Sequence, residues 1–438
     1  MNQYATRKLG RRSTDLAPLV FGTLVGGRLR CVESEPHTFL VSATEAVITM
    51  SSTSDAFASL LRSQTRREFL RLAAGTVAAT AVSALVPSAF AAGTQPKPRS
   101  VVVTFGGGAR DEETFAVEGQ QNIPHLLGEL IPQGTFFTQV VNRGILGHYV
   151  ATAGIVTGCY ETFDNFIAQP TGNPTVFEYF RRGLSRPMDD AWVIAPSNGF
   201  QQIGFSRHGG YQGQGAGVIL PKQLLAAAVS KQHPQSLVDY EHLLQDNYEM
   251  PVYRPSLSQS DGELHLEQLA STLRLSVEDF TRDARALDSA DALSLSIARR
   301  LMAQVSPSLL LITLHDMDVA HAGAFSLYVD AIQRADRICG ELWTTIQSMP
   351  EYKDRTGLFI MPDFGRDADG DPGGNGFQHH RTGGAMARTT WLLALGPGIR
   401  QNVTVDRAIQ PIDLVPTIGK RHGFETPYVK GAPIAELV

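Results

Sequence analysis

The sequence predicts an α/β protein, a three-layer α/β/α arrangement with a mostly parallel sheet. Two observations lead there. Short apolar runs at 100–105, 134–141, 191–195, 309–314, 357–361 and 390–395 are hydrophobic at successive positions, as strands buried on both faces are. Stretches of helical spacing separate most of them, and strands alternating with helices give parallel pairing under helical cover.

Taken in order, Ser100-Val101-Val102-Val103-Thr104-Phe105 is a β-branched strand stopped by Gly106-Gly107-Gly108. Residues 123–131 read as a short helix and 134–141 as the next strand. Residues 151–156 and 175–182 read as helices, and Ala191-Trp192-Val193-Ile194-Ala195 is a strand ended by Pro196. The glycine-rich stretch 209–217 is a loop without a phosphate-loop pattern. From about 221 to 304 the strands disappear. Leu266, Leu269 and Leu273 have helical spacing, as do Ala286, Ala290, Leu293 and Ile297, so this stretch reads as a helical insertion. Strand 309–314 then leads to a helix over 325–346, strand 357–361 to a loop over 363–388, and strand 390–395 to Gly396-Pro397-Gly398.

The 438 residues are 43% hydrophobic, enough for a large core, and the net charge of -5 excludes nucleic acid as a general electrostatic partner. Of the three cysteines, Cys159 and Cys339 read as separate buried thiols, and Cys31 falls in the leader. Thr65-Arg66-Arg67-Glu68-Phe69-Leu70-Arg71 matches a twin-arginine export signal. A small-residue apolar run over 72–86 and the cleavage site Ala89-Phe90-Ala91 follow it. The run is short for a permanent membrane span. Residues 50–91 are therefore expected to be a signal peptide read by the twin-arginine machinery. The mature protein is expected over 92–438, in the periplasm or secreted. Residues 1–49 are expected to be an over-extended reading frame or a disordered leader, with Met50 as a plausible start.

The densest chemistry is His315-Asp316-Met317-Asp318-Val319-Ala320-His321, released by strand 309–314. Carboxylates and imidazoles at the C-terminal edge of a strand suit a divalent metal. Gln378-His379-His380-Arg381 follows Met361-Pro362-Asp363-Phe364-Gly365-Arg366. Arg110 and Arg366 can each hold an anionic oxygen in a planar fork, or serve as surface ion pairs. The plain alternative for Asp316, Asp318 and His321 is a polar loop capping the next helix. For His379 and His380 it is a solvated loop.

The order of motifs resembles the alkaline phosphatase/sulfatase superfamily, and within it the exported sulfatase-like members. Asn122-Ile123-Pro124-His125-Leu126 resembles the segment after that family's first strand, and Ile155-Val156-Thr157-Gly158 the end of its nucleophile helix. Pro174-Thr175-Val176-Phe177-Glu178 resembles the segment that follows. The helix from Tyr328 through Asp336 and Leu342 resembles the one after the metal-binding pair. Leu395-Gly396-Pro397-Gly398-Ile399, Ile412-Asp413-Leu414-Val415-Pro416-Thr417-Ile418 and Gly431-Ala432-Pro433-Ile434 resemble the closing motifs. The resemblance covers roughly 100–218 and 306–438 and implies an alkaline phosphatase-like fold with a helical insertion.

It also implies a metal site built from Asp318, or Asp316, with His321 and His380, or His379. The second metal of the family lacks its ligands: glycines 106–108 occupy the first-strand position, and Asp363-Phe364 stands where the family has an Asp-His pair. Asp111, Glu112 or Glu113 is the available substitute. The nucleophile position, counted back from Gly158, is His148, without the family's Pro-x-Arg; it is a candidate nucleophile, metal ligand or base. Cys159 is outside the sulfatase motif. The expectation is a metal-dependent hydrolase of phosphate or sulfate esters with a degenerate, single-metal site. Asp318, His321, His380, Asp316, Asp363 and His379 are its candidate ligands, with His148, Arg366 and Arg110 as catalytic candidates. The ion is expected to be zinc, manganese or calcium, and the substrate a small anionic ester. The alternative is a non-catalytic binding or scaffold protein that keeps the fold.

Overall fold

The computed structural model describes residues 97–438 apart from 166, 197, 233–238, 245–270 and 374. The expected leader and signal peptide, with Cys31, and the helical positions Leu266 and Leu269 lie outside the described residues.

Eight strands form one sheet in the order β4-β3-β5-β1-β6-β7-β2-β8. They are β1 (Arg99–Phe105), β2 (Gly134–Val141), β3 (Ala191–Ile194), β4 (Gly217–Ile219), β5 (Leu309–Leu314), β6 (Thr356–Pro362), β7 (Thr389–Leu395) and β8 (Val403–Ile409). β7 runs antiparallel to both β6 and β2, and the remaining pairs are parallel. The mostly parallel sheet is as expected. The two strands the sequence reading passed over, β4 and β8, are the two edges. β4 is three residues after a glycine-rich loop, and β8 carries Asp406 and Arg407 among partly exposed residues, so neither shows the all-apolar run of a central strand.

Alternation within the central strands feeds two cores. Val101, Val103 and Phe105 of β1 pack on one face and Val102 on the other; in β2, Phe136 and Phe137 divide the same way. The first face is covered by α3 (Pro221–Gln232), α4 (Val277–Arg285), α5 (Ala290–Gln304) and α6 (Phe325–Ser348). The second is covered by α1 (His148–Thr157), α2 (Val176–Gly183) and α7 (Leu414–His422). The helical insertion is thus one part of the first covering layer.

Local chemistry sets the helix ends. The Thr175 hydroxyl accepts from the Glu178 amide while Glu178 accepts from the Thr175 amide, a reciprocal cap that starts α2. The expected continuous face from Ala286 to Ile297 is broken, because Ala286 closes α4 and the Ser289 hydroxyl, accepting from the Ala292 amide, opens a new helix. The expected helix over 123–131 is irregular, a π-type turn over Leu126–Leu130 between two tight turns, with Pro132 at the start of the second. Cys159 and Cys339 are separate buried thiols, as the sequence indicated.

One buried link between layers is pH-sensitive. His422, at the end of α7, bonds the hydroxyl of Ser100 in β1 at 2.9 Å. Burial first, and then the charges of Arg421 and Arg186, lower its pKa from the ordinary 6.5 to about 3. The folded state therefore keeps this ring neutral while the unfolded chain protonates it. Its stabilising effect is complete above about pH 6.5 and declines as the pH falls toward 3, with a slope approaching ~1.4 kcal/mol per pH unit. Denaturant unfolding of the wild type and His422→Gln at pH 7, 5.5 and 4.5 should show the wild type losing this much more stability than the variant on acidification. Parallel curves would contradict the assignment.

Candidate metal centre

The three central strands end in one row. Phe105 of β1 stands opposite Leu314 of β5 and Pro362 of β6. The next residues, Gly106, His315 and Asp363, therefore leave the sheet side by side at its C-terminal edge, where open α/β sheets bind ligands. Gly106 is required there, because a Cβ on it would lie 2.0 Å from the His315 ring. Gly107 adopts φ +71° and donates its amide to Asp363 Oδ1 at 3.0 Å.

Four side chains converge above this row. His148 opens α1, Asp318 and His321 stand on the tight turn Asp316–Ala322 after β5, and His380 comes from the loop after β6. One ligand atom from each lies within 4.8 Å of every other. Asp318 Oδ2 faces His148 Nε2 at 3.3 Å, and Asp318 Oδ1 faces His321 Nε2 at 3.1 Å. His321 Nε2 and His380 Nε2 are 2.9 Å apart. Two ring nitrogens aimed at one another, beside a carboxylate oxygen and a further ring nitrogen that lack well-formed hydrogen bonds in a buried setting, are a poor set of mutual partners. They are a fitting set of ligands: three imidazole nitrogens and one carboxylate oxygen suit a transition metal such as zinc.

The electrostatics agree. Burial alone would raise the Asp318 carboxyl, but the facing His148, then His321 and His315, outweigh it and hold it well below the usual range. Burial lowers His380 to about 2, helped by the positive His148 and Arg366, and burial also lowers His321. Both rings are therefore neutral at neutral pH. Burial opposes a charge on His148, yet Asp318 and Asp363 on either side push it up to about 10. Loading a metal releases that proton.

Asp363 stands behind the ligands. Its Oδ2 lies 2.7 Å from His148 Nδ1, and its Oδ1 accepts from the amides of Gly107 and Phe364. A carboxylate on Nδ1 fixes the tautomer that offers Nε2 to a metal, which makes Asp363 an orienting group outside the four-ligand set. Asp367 plays a similar part for the His380 loop. It is buried, its carboxylate accepts from the amides of Arg381 and Thr382 and from the Thr382 hydroxyl, and its own amide donates to the His379 carbonyl.

Arg366 is fully buried beside Asp318. Its Nη2 donates to Asp318 Oδ1 at 3.2 Å and to the Met317 carbonyl at 3.1 Å, and its guanidinium lies 5.3 Å from the centre of the Tyr328 ring. Nε and Nη1 have no hydrogen-bond partner.

Other candidates from the sequence stand elsewhere. Asp316 turns toward Arg334, with Oδ2 3.2 Å from Nη1, so of the two aspartates considered the structure places Asp318 in the cluster. His379 is half-buried and outside the four-ligand group, its ring 6.2 Å from that of His321. Arg110 is taken up by Glu113 and by Asp369. Glu113 also accepts from the Tyr328 hydroxyl and is not a replacement ligand; Asp111 and Glu112 are likewise outside the metal-capable group. Phe364 stacks on His148 with ring centres 5.0 Å apart and gives that ring an apolar wall. Three contributors were not picked out as individual candidates from the sequence: His315, whose ring packs edge-on against His148, Asp367, and Asp291 in the insertion. The first was legible in its cluster; the others had no motif to mark them.

Zinc titration of the apo protein should show one tight site per chain. His148→Ala, Asp318→Ala and His380→Ala should each weaken it by more than ~100-fold, beyond what outer partners cost. Asp316→Ala should leave it within a few-fold. Unchanged affinity in His148→Ala would remove that ring from the ligand set.

No protein-family model matches the sequence, and no curated protein matches it. Solved structures do resemble it. One is an alkaline phosphatase superfamily protein from Vibrio parahaemolyticus, 15% identical with a TM-score of 0.45, covering 77% of this chain and 71% of that one. Another is a phosphonate monoester hydrolase from Silicibacter pomeroyi, 13% identical with a TM-score of 0.46, covering 77% and 76%. A third is a mutant of the alkaline phosphatase PafA, 12% identical with a TM-score of 0.48, covering 79% of this chain and all 100% of that one. A 2-O GAG sulfatase is also among the solved structures to which this chain is similar, 13% identical with a TM-score of 0.45, covering 77% of this chain and 73% of that one.

Proposed function

We propose that the chain is a metal-dependent hydrolase of phosphate or sulfate esters, working with a single metal in the mature segment 92–438 after export by the twin-arginine route. The observation that carries the reading is the position of Arg366. Its planar fork is buried against the four-ligand cluster with two nitrogens, Nε and Nη1, unmatched, and an unmatched buried donor is costly unless something fills it. A tetrahedral anionic oxygen group suits such a fork.

His148, Asp318, His321 and His380 would hold the ion, which when bound supplies a Lewis acid for an ester oxygen. The nitrogen-rich donor set favours zinc over manganese and calcium, which prefer oxygen ligands. Asp363 holds His148 in its ligand tautomer, and Arg366 steadies the charge that develops on the ester oxygens. Phe364 closes the wall where a second ion's imidazole would stand, and the glycines after β1 bring no carboxylate to it. Arg110 is engaged by two carboxylates and serves the loop rather than the substrate.

A second reading has an observation of its own. His148, Asp318 and His380 are buried and the His321 side chain is 4% exposed, and four protein ligands would complete a tetrahedral shell, as in structural metal sites. That arrangement fits a non-catalytic binding protein whose metal fastens three strand ends.

Protein purified from periplasm, with its mature N-terminus near Ala92, separates the two readings. Loaded with zinc or manganese, it should turn over at least one aryl phosphate or aryl sulfate. Arg366→Ala should lower kcat/KM by about 10²–10³-fold while retaining the metal, and His380→Ala should lose both metal and turnover. A fully loaded wild type that is inert across the panel, yet loses thermal stability on chelation, would establish the non-catalytic reading.

A further inference from the structure

The helical insertion has a contact that neither its sequence pattern nor the resemblance explains. Asp291 is the second residue of α5, just after the Ser289 cap, and its side chain is 1% exposed. Its two carboxylate oxygens point away from its own helix to the exit of β5. Oδ1 accepts from the His315 amide at 2.8 Å and Oδ2 from the Asp316 amide at 3.0 Å. These are the first two amides after the strand, and they begin the turn Asp316–Ala322 that carries Asp318 and His321.

We propose that Asp291 is a positioning residue for the metal centre, through which the insertion sets the angle at which the turn bearing Asp318 and His321 leaves the sheet. This rests on the metal-centre reading. A single carboxylate bridging both amides fixes the peptide planes at the point where strand becomes turn. Asp318 and His321 follow within a few residues, where a small rotation becomes a large displacement of their ligand atoms. Ligand groups tolerate only about 0.5 Å of misplacement before a site loosens. The same turn is also held by Arg366 through the Met317 carbonyl. Asp291 and Arg366 thus hold it at two points, its start and its middle. Asp291 touches neither the ligand atoms nor the anion-facing fork.

The test compares Asp291→Ala and Asp291→Asn with Leu293→Ala, a buried position on the same helix that faces the core rather than the turn. The probe is zinc alone, titrated into each full mature chain, with amide hydrogen exchange followed at His315 and Asp316. Asp291→Ala should bind zinc about 10–100-fold more weakly, the range seen when groups behind a metal's ligands are lost. Asp291→Asn, which keeps one acceptor, should fall between it and the wild type. Asp291→Ala should lose protection at both amides and Asp291→Asn at one of them. Leu293→Ala should lower the thermal midpoint yet bind zinc within twofold of the wild type, a split that a merely structural role of Asp291 would not produce. Zinc affinity within twofold in both Asp291 variants would overturn the proposal, as would an equal loss in Leu293→Ala. A wild type that takes up no zinc would overturn the metal reading and this proposal with it; the amide exchange shows separately whether the clamp itself exists.

Discussion

The Asp318 carboxylate is the constraint on which the site depends. It is nearly excluded from water, and taking a carboxylate out of water costs several kcal/mol unless partners replace the lost hydration. Here the replacement comes from His148, His321 and His315 and from the Arg366 guanidinium, at 3.1–3.8 Å. Those partners come from four segments: α1, the turn after β5, β5's own exit, and the loop after β6. They meet only if β5, β1 and β6 end in register, which the parallel pairing of Phe105 with Leu314 and Pro362 ensures. The apolar sheet supplies that alignment, and the polar cluster at its rim uses it.

The carboxylates around the cluster divide the work. Asp318 faces the imidazoles directly, Asp363 faces the rear of His148, Asp367 gathers the amides of the His380 loop, and Asp291 gathers those at the exit of β5. Each accepts from backbone or ring N–H groups of the segments it holds. The ligands are therefore held in place by the folded chain itself, which is what keeps two imidazole nitrogens 2.9 Å apart. The cluster and the unmatched Arg366 fork share one largely buried setting, and low water access strengthens any charge interaction inside it.

The sequence carried the fold well at its centre and poorly at its margins. The runs that became β1, β2, β5, β6 and β7 are buried on both faces, so their composition alone marks them. β4 and β8 are edges with mixed composition, and no pattern separates them from loop. The insertion was legible as helical, but not the break at Ser289, because a single capping hydroxyl decides it. In the site, His315-Asp316-Met317-Asp318-Val319-Ala320-His321 announced metal chemistry through density, yet could not say which aspartate turns inward. Arg334 on α6 draws Asp316 away, a contact between residues 18 positions apart. His148 carries three possible roles in the sequence, and its place between Asp318 and Asp363 is visible only in the fold. Asp291 and Asp367 were invisible, since what they do is hold backbone amides, and an acidic residue leaves no sequence mark for that.

X-ray absorption at the zinc edge of the loaded wild-type protein tests the central claim most directly. The account predicts one ion per chain with nitrogen and oxygen neighbours at about 2.0–2.2 Å and outer-shell scattering from three imidazole rings. Scattering from one ring or none, or a metal–metal distance marking a second ion, would contradict it.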